Sequence, residues 1–296
     1  MQIYRAVVRS SQQISPGMTR ITLGGAGLAG FSSTGAGDEY VRVFLPRPGE
    51  TEPVLPVGTD SGWDYPEGVE SAPMRTYTVR SVSPADSTGA VTVDIDFVVH
   101  DGGLAAAWAA GARPGDVVGI NAPSGLYDAP EDLRWRVLLA DATGLPAAAR
   151  LIEQAPAGVR TRAVLEVADA SHRIPIDCPP GTEITWVYGG NGQTRSRLDE
   201  ILRDIDLPAG PGYVWCAGET AVLRRVRANL RRERGLPGTA YKVIGYWTDK
   251  AELWQERWDG LDPAVRAQLL ALWDDPDRDG EEIIDDYEEQ LALLGL

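Results

Sequence analysis

From residue 3 to about 128, apolar and polar positions alternate in short runs. IYRAVVRS (3–10), MTRITLGG (18–25) and DEYVRVFLP (38–46) read as strands separated by Gly, Ser and Pro clusters. AVTVDIDFVVH (90–100) alternates most plainly: Val91, Val93, Ile95 and Phe97 interleave with Thr92, Asp94 and Asp96. That period of two marks a half-buried antiparallel strand, and several such strands in succession predict a barrel. LAAAWAAG (104–111) is the one short helix expected here, ended by glycine.

Beyond residue 134 the pattern changes. RWRVLLA (134–140), TRAVLEVA (161–168), TEITWVYG (182–189), GYVWCAG (212–218) and YKVIGYW (241–247) are near-continuous apolar runs. Between them lie helical stretches: GLPAAARLIEQA, SRLDEILRDI and ETAVLRRVRANLRRERG. Strands alternating with helices predict a parallel sheet flanked by helices. The Pro/Asp-rich stretch at 123–132 reads as a linker. A helical tail follows, with Trp254 and Trp258 four apart and Leu269, Leu270, Leu272 and Trp273 forming another apolar face; the Trp residues are expected to dock onto the body, the alternative being a direct ligand role.

Charge sharpens this division. The chain of 296 residues carries a formal charge of −15, yet residues 251–296 hold 14 acidic and 3 basic side chains, leaving the rest near neutral. Such a balance argues against nucleic-acid binding. No run approaches the roughly 18 apolar residues of a membrane span, and the N-terminus lacks a secretory h-region, so a cytoplasmic location without membrane insertion is expected. Two cysteines, Cys178 and Cys216, are too few for a cysteine-ligated iron–sulfur cluster, and a structural zinc site is not expected either. On the helix after Gly218, Arg224, Arg227, Arg231 and Arg234 share one face by three- and four-residue spacing. This basic face stays solvated, docks the acidic tail, or attracts an anionic substrate.

The sharpest chemical signal is Arg75-Thr76-Tyr77-Thr78-Val79-Arg80. On a strand, Arg75 and Tyr77 share a face, where a guanidinium can pair a phosphate beside a stacking ring. Thr78 offers a hydroxyl and a backbone to a flat heterocycle. A second signal is Asp141-Ala142-Thr143-Gly144-Leu145-Pro146, a small turn between strand end and helix start, where an α/β sheet places a nucleotide. Read without a ligand, it is a turn with Thr143 as the helix cap.

These motifs together resemble the siderophore-interacting branch of the ferredoxin-reductase-like superfamily. The resemblance rests on RTYTVR, on HDGGLAAAWA (100–109), on LLADATGLPAAARLIE (138–153), on YVWCAGETAVLRRVRANL (213–230) and on GYW (245–247), in the family's order. It implies a six-stranded antiparallel β-barrel carrying FAD in 1–128, a parallel-sheet NAD(P)H domain in 129–248, and an acidic helical extension in 249–296. By position, Arg75, Tyr77, Thr78 and Val79 would hold the flavin and its phosphate. The segment with His100, Gly102, Gly103, Ala105, Ala106 and Trp108 would cradle the pyrophosphate at a helix N-terminus. The family usually reads Gly-Pro-Ala-Ser here; Ala106 lacks that hydroxyl, a loss of about 1 kcal/mol. NADPH or NADH would sit near Asp141, Thr143 and Pro146 and near Ala217, Gly218 and Glu219. Cations for a 2′-phosphate would come from His172 and Arg173 or from Arg195 and Arg197.

The implied activity is reduction of a ferric siderophore, with a hydride passed from nicotinamide to FAD and single electrons onward to Fe(III). The chemistry is cofactor-borne, with no protein metal ligand and no catalytic side chain, and the protein is expected to be a monomer. Substrate contacts fall to Trp247 and Lys250. Where the family carries arginine after Gly-Tyr-Trp, this chain has Thr248, and Lys250 offers a point charge without bidentate geometry. A hydroxamate-type siderophore fits that better than a catecholate. The rival readings are a reductase serving free flavin or a protein partner, and a non-catalytic siderophore-binding protein.

Overall fold

The computed structural model describes residues 2–59, 62–87, 89–99, 103–191, 194–275, 278 and 280–295. They form two compact units: 1–127 with 145–155 and 169–179, and 128–144 with 156–168 and 180–296.

The first unit contains β1 (Ile3–Ser15), β2 (Met18–Gly24), β3 (Tyr40–Phe44), a small hairpin of β4 (Val57–Thr59) and β5 (Gly62–Asp64), then β6 (Met74–Val82), β7 (Val93–Val98), helix α1 (Leu104–Gly111) and β8 (Val117–Asn121). Six of these strands close a barrel in the order β1-β2-β7-β6-β3-β8. The expected alternation on β7 holds: Val93, Ile95 and Phe97 are buried in the barrel core. On its other face Asp94 accepts from Thr22 at 2.7 Å and Ser81 at 2.7 Å, while Arg20 grips Asp96 with two bonds of 2.7 and 2.8 Å. Strand β6 pairs with β3 through Tyr40–Thr78 and with β7 through Val79–Ile95, and its register against β7 shifts between Val79 and Ser81. That bulge returns Val82 to the core side.

The second unit is built on β9 (Trp135–Ala140), β10 (Arg160–Val167), β11 (Thr182–Tyr188), β12 (Gly212–Glu219) and β13 (Tyr241–Trp247), with α2 (Leu145–Glu153) leaving β9 to join the first unit. The five strands run parallel in the order β11-β10-β9-β12-β13. Strands β9 and β12 are buried almost throughout, which explains their unbroken apolar sequences. Helices α3 (Leu198–Asp204), α4 (Thr220–Ala228), α5 (Ala251–Asp259), α6 (Pro263–Ala271) and α7 (Gly280–Leu293) complete it.

The tail corrects one expectation and settles another. Leu269 is buried, but Leu270 and Trp273 are about half exposed, at 55% and 49%. Leu270 follows Leu269 around the helix to the outer side and α6 ends at Ala271, so Leu269 is the position of this set that α6 buries, with Leu272 half-buried beyond the helix end. Trp254 and Trp258 stack on each other, ring centres 5.6 Å apart. The basic face of α4 docks the acidic tail. Arg227, buried, donates to Glu288, to Glu281 at 3.1 Å and to the Val243 carbonyl at 2.7 Å. Arg231 pairs with Glu282 at 3.0 Å, and Arg232 with Asp285 at 3.0 Å and Glu289 at 2.9 Å. Arg234 leaves the expected face and donates to the Leu202 carbonyl, because α4 passes into a wider π-helical turn at Asn229–Glu233 that shifts the register.

Candidate functional site

In the barrel, Tyr77 and Trp108 both pack on Phe97, with ring centres 4.1 and 5.6 Å away. One aromatic cluster therefore joins β6, β7 and α1, and brings the RTYTVR strand together with the helix expected to hold a pyrophosphate. Burial pushes the Tyr77 phenol up to about 12, the nearby Arg75 cation opposing the shift. Arg75 is exposed and donates to the Met74 carbonyl at 2.8 Å. Val79 lies in the core, and Thr78 is buried with its hydroxyl lacking a hydrogen-bond partner among the described residues.

Among the described residues, helix α1 starts without a side-chain cap. Gly103 stands at its N-cap with φ +89°, a conformation that costs other residues a steric penalty, and no acidic residue occupies the first turn. Ala105 and Ala106 are buried in this first turn, whose amides have no partner within the helix itself. His100 and Gly102 lie outside the described residues. An orphaned hydroxyl, an uncapped helix N-terminus and an aromatic platform suit a flavin nucleotide.

The second cluster sits where the order of the parallel sheet reverses, at the carboxyl ends of β9 and β12, the usual ligand position of an open α/β sheet. Asp141 is buried at the end of β9. Its Oδ1 accepts from the Thr143 amide at 2.8 Å, the Thr143 hydroxyl at 2.6 Å and the Gly144 amide at 3.3 Å. Trp247 Nε1 donates to Oδ2 at 2.6 Å. Burial pushes the Asp141 carboxyl above the ordinary carboxylate range, and these bonds oppose the shift. Asp141, not Thr143, is thus the acceptor that organises the turn.

Close packing here depends on small residues. A Cβ on Gly218 would lie 2.7 Å from Asp141 Oδ2, and one on Gly144 would lie 2.8 Å from the Ala217 carbonyl. Pro146 occupies the first turn of α2, where its missing N–H costs nothing. Glu219 caps α4 by accepting from Val222 N at 2.8 Å and receives the Asp249 amide at 3.3 Å. Thr220 donates to the Trp247 carbonyl at 2.8 Å. Lys250 is exposed and left-handed, with φ +52°, at the start of α5.

Of the expected phosphate cations, Arg195 pairs with Asp199 at 3.3 Å and Arg197 approaches Glu200 at 3.9 Å. His172 contacts Asp169 at 3.1 Å. Sequence reasoning missed Asn191, which has φ +53° and accepts from the Ala142 amide at 3.0 Å, bracing the turn after β9. Its Gly-Gly-Asn-Gly setting was the available signal of a tight loop.

Comparison with known proteins places these residues in context. Residues 7–127 match the siderophore-interacting FAD-binding domain and residues 133–250 match the siderophore-interacting protein model. The NADPH-dependent ferric-chelate reductase of Escherichia coli (strain K12) is 30% identical over 242 residues, covering 81% of this chain and 90% of that protein. A siderophore utilization protein from T. fusca superposes with a TM-score of 0.73 at 38% identity, over 84% of this chain and 94% of that one. The siderophore-interacting protein SipS from Aeromonas hydrophila gives 0.67 at 27% identity, over 83% and 98%.

Proposed function

The chain belongs to the siderophore-interacting protein family, and from that premise we propose that it is an FAD-dependent, NADPH-driven reductase that releases iron from a ferric siderophore. The observation that carries the flavin half is the shared packing of Tyr77 and Trp108 on Phe97, which sets the RTYTVR strand beside the uncapped start of α1. Bound FAD supplies the coupling of a two-electron donor to a one-electron ferric acceptor.

The protein's own residues position and exclude. Tyr77 and Thr78 would present one ring and one free hydroxyl to the flavin, and Val79, with both backbone groups taken up inside the protein, would hold the strand beneath it. The first-turn amides of α1 would face its pyrophosphate, and Arg75 a phosphate charge. Asp141, Thr143, Ala217, Gly218 and Glu219 would shape the nicotinamide nucleotide's seat, with Gly144 and Gly218 keeping side-chain bulk out. Lys250 would meet the chelate as an exposed point charge, and with Thr248 in place of the family's arginine a ferric hydroxamate is the favoured substrate class.

Anaerobic titration tests this directly. The purified yellow protein should be bleached by NADPH, and a ferric trihydroxamate should restore its colour while a ferrous chelator traps Fe(II). A bleached protein that only free flavin or a redox protein can reoxidise would remove the siderophore assignment.

A further inference from the structure

The Val79 carbonyl of the flavin strand is claimed by a side chain 71 residues away. Arg150 Nη1 donates to it at 2.8 Å and, from the same nitrogen, to Glu39 Oε1 at 2.7 Å; Nη2 reaches Ser33 Oγ at 3.2 Å. The Val79 amide is tied as well, donating to the Glu39 carbonyl at 2.9 Å. Both backbone groups of Val79 therefore end on the Glu39–Arg150 pair, at the point where the β6–β7 register shifts. Glu39 is fully buried and its other oxygen accepts from the Thr34 amide at 2.5 Å and hydroxyl at 2.6 Å. Arg150 is 7% exposed. Its two Nη1 partners, Glu39 Oε1 and the Val79 carbonyl, are buried acceptors, the arrangement in which a forked cation sets geometry rather than solubility.

A second clamp joins the same two elements. Arg80 holds Glu153 of α2 through bonds of 2.8 and 2.6 Å. This one touches side chains only and leaves the β6 backbone alone.

We infer that Arg150 is a positioning residue for the flavin: by bridging the Val79 carbonyl and the Glu39 carboxylate it fixes the stretch of β6 whose Tyr77 ring and Thr78 hydroxyl receive the cofactor. This rests on the reading of β6 as the flavin strand. Docking of α2 alone needs either clamp; backbone positioning needs Arg150.

The test measures FAD affinity of the apoprotein by quenching of flavin fluorescence, together with the visible circular dichroism of the bound flavin. Arg150→Met should weaken FAD binding by about tenfold or more, the loss expected when a buried hydrogen-bonded pair is broken. Arg150→Lys should recover part of it, and Glu153→Gln, which dissolves only the Arg80 clamp, should stay within about twofold of wild type. Should Arg150→Met not fold, Arg150→Lys against Glu153→Gln decides the question alone. Equal losses in both, or wild-type affinity in a folded Arg150 variant, would overturn the inference. Failure of the wild-type apoprotein to take up FAD would instead overturn the reading on which it rests.

Discussion

Trp247 Nε1 donates a 2.6 Å hydrogen bond to Asp141 Oδ2, joining the end of β13 to the end of β9 across β12. The indole N–H is thereby spent inside the protein, so any contact of Trp247 with substrate is made by its ring. Trp247→Phe removes the donor and leaves a buried carboxylate oxygen without a partner, at a cost of about 1–3 kcal/mol. Urea unfolding should show that loss, and the Michaelis constant for NADPH should rise as the Asp141 turn loosens.

Gly218 tests the same turn from behind. A methyl group there meets Asp141 Oδ2 at 2.7 Å, the end of a side chain that bonds from Thr143, Gly144 and Trp247 hold in place. Gly218→Ala should cost about 1–3 kcal/mol through overpacking and displace the carboxylate. NADPH affinity should fall while FAD affinity is kept, as separate titrations of the two would reveal.

The patterning made much of this architecture legible, because β7 alternates an apolar face in the barrel core with a polar face of Asp94 and Asp96, while the central strands β9 and β12 of the parallel sheet are buried almost throughout. Strand β8 escaped notice: VVGIN is buried at all five positions and carries no alternation. The RTYTVR motif and the Asp141 turn stood out as local sequence. The Glu39–Arg150 pair could not, since its members are 111 residues apart and each alone resembles an ordinary surface charge. The tail's role was legible only as one of three alternatives for the basic helix face, because spacing showed that face and an acidic segment but not that one covers the other.

Tyr77 should act through its ring and not through its phenol. With the hydroxyl pushed up to about 12, the group stays protonated through the whole working range. Tyr77→Phe should bind FAD as wild type does, whereas Tyr77→Ala, which removes the ring packed 4.1 Å from Phe97, should weaken it by about tenfold. Flavin fluorescence in the wild type should show no ionisation step below about pH 10.

Glu39 gives the fold an acid limit. Burial alone would raise its carboxyl, but bonds from Ser33, Thr34 and Arg150 outweigh this and hold it below its ordinary 4.5. A lowered folded value means that its stabilisation is complete above pH 4.5 and drains away as pH falls through the folded value. Glu39→Gln should therefore unfold more easily at neutral pH and show a shallower decline on acidification. Urea midpoints taken from about pH 6 to pH 3 would display both changes.

Arg227 is the keystone of the tail. It is 2% exposed and faces Glu281 and Glu288 of α7 while donating to the Val243 carbonyl; Lys242 adds a second cation to Glu281 at 3.1 Å. Surface pairs such as Arg232–Glu289 contribute little and weaken with salt, whereas the buried cluster is poorly screened. Arg227→Ala takes the cation from Glu288, leaves Glu281 to Lys242, and should cost about 3–5 kcal/mol. Replacing Arg232 should cost under about 1 kcal/mol. The loss at Arg227 should persist at high ionic strength, and chemical unfolding in low and high salt separates the two contributions. Because α4 begins at Thr220, beside Gly218 and Glu219, the same variant should also weaken NADPH binding, while FAD binding in the barrel is retained.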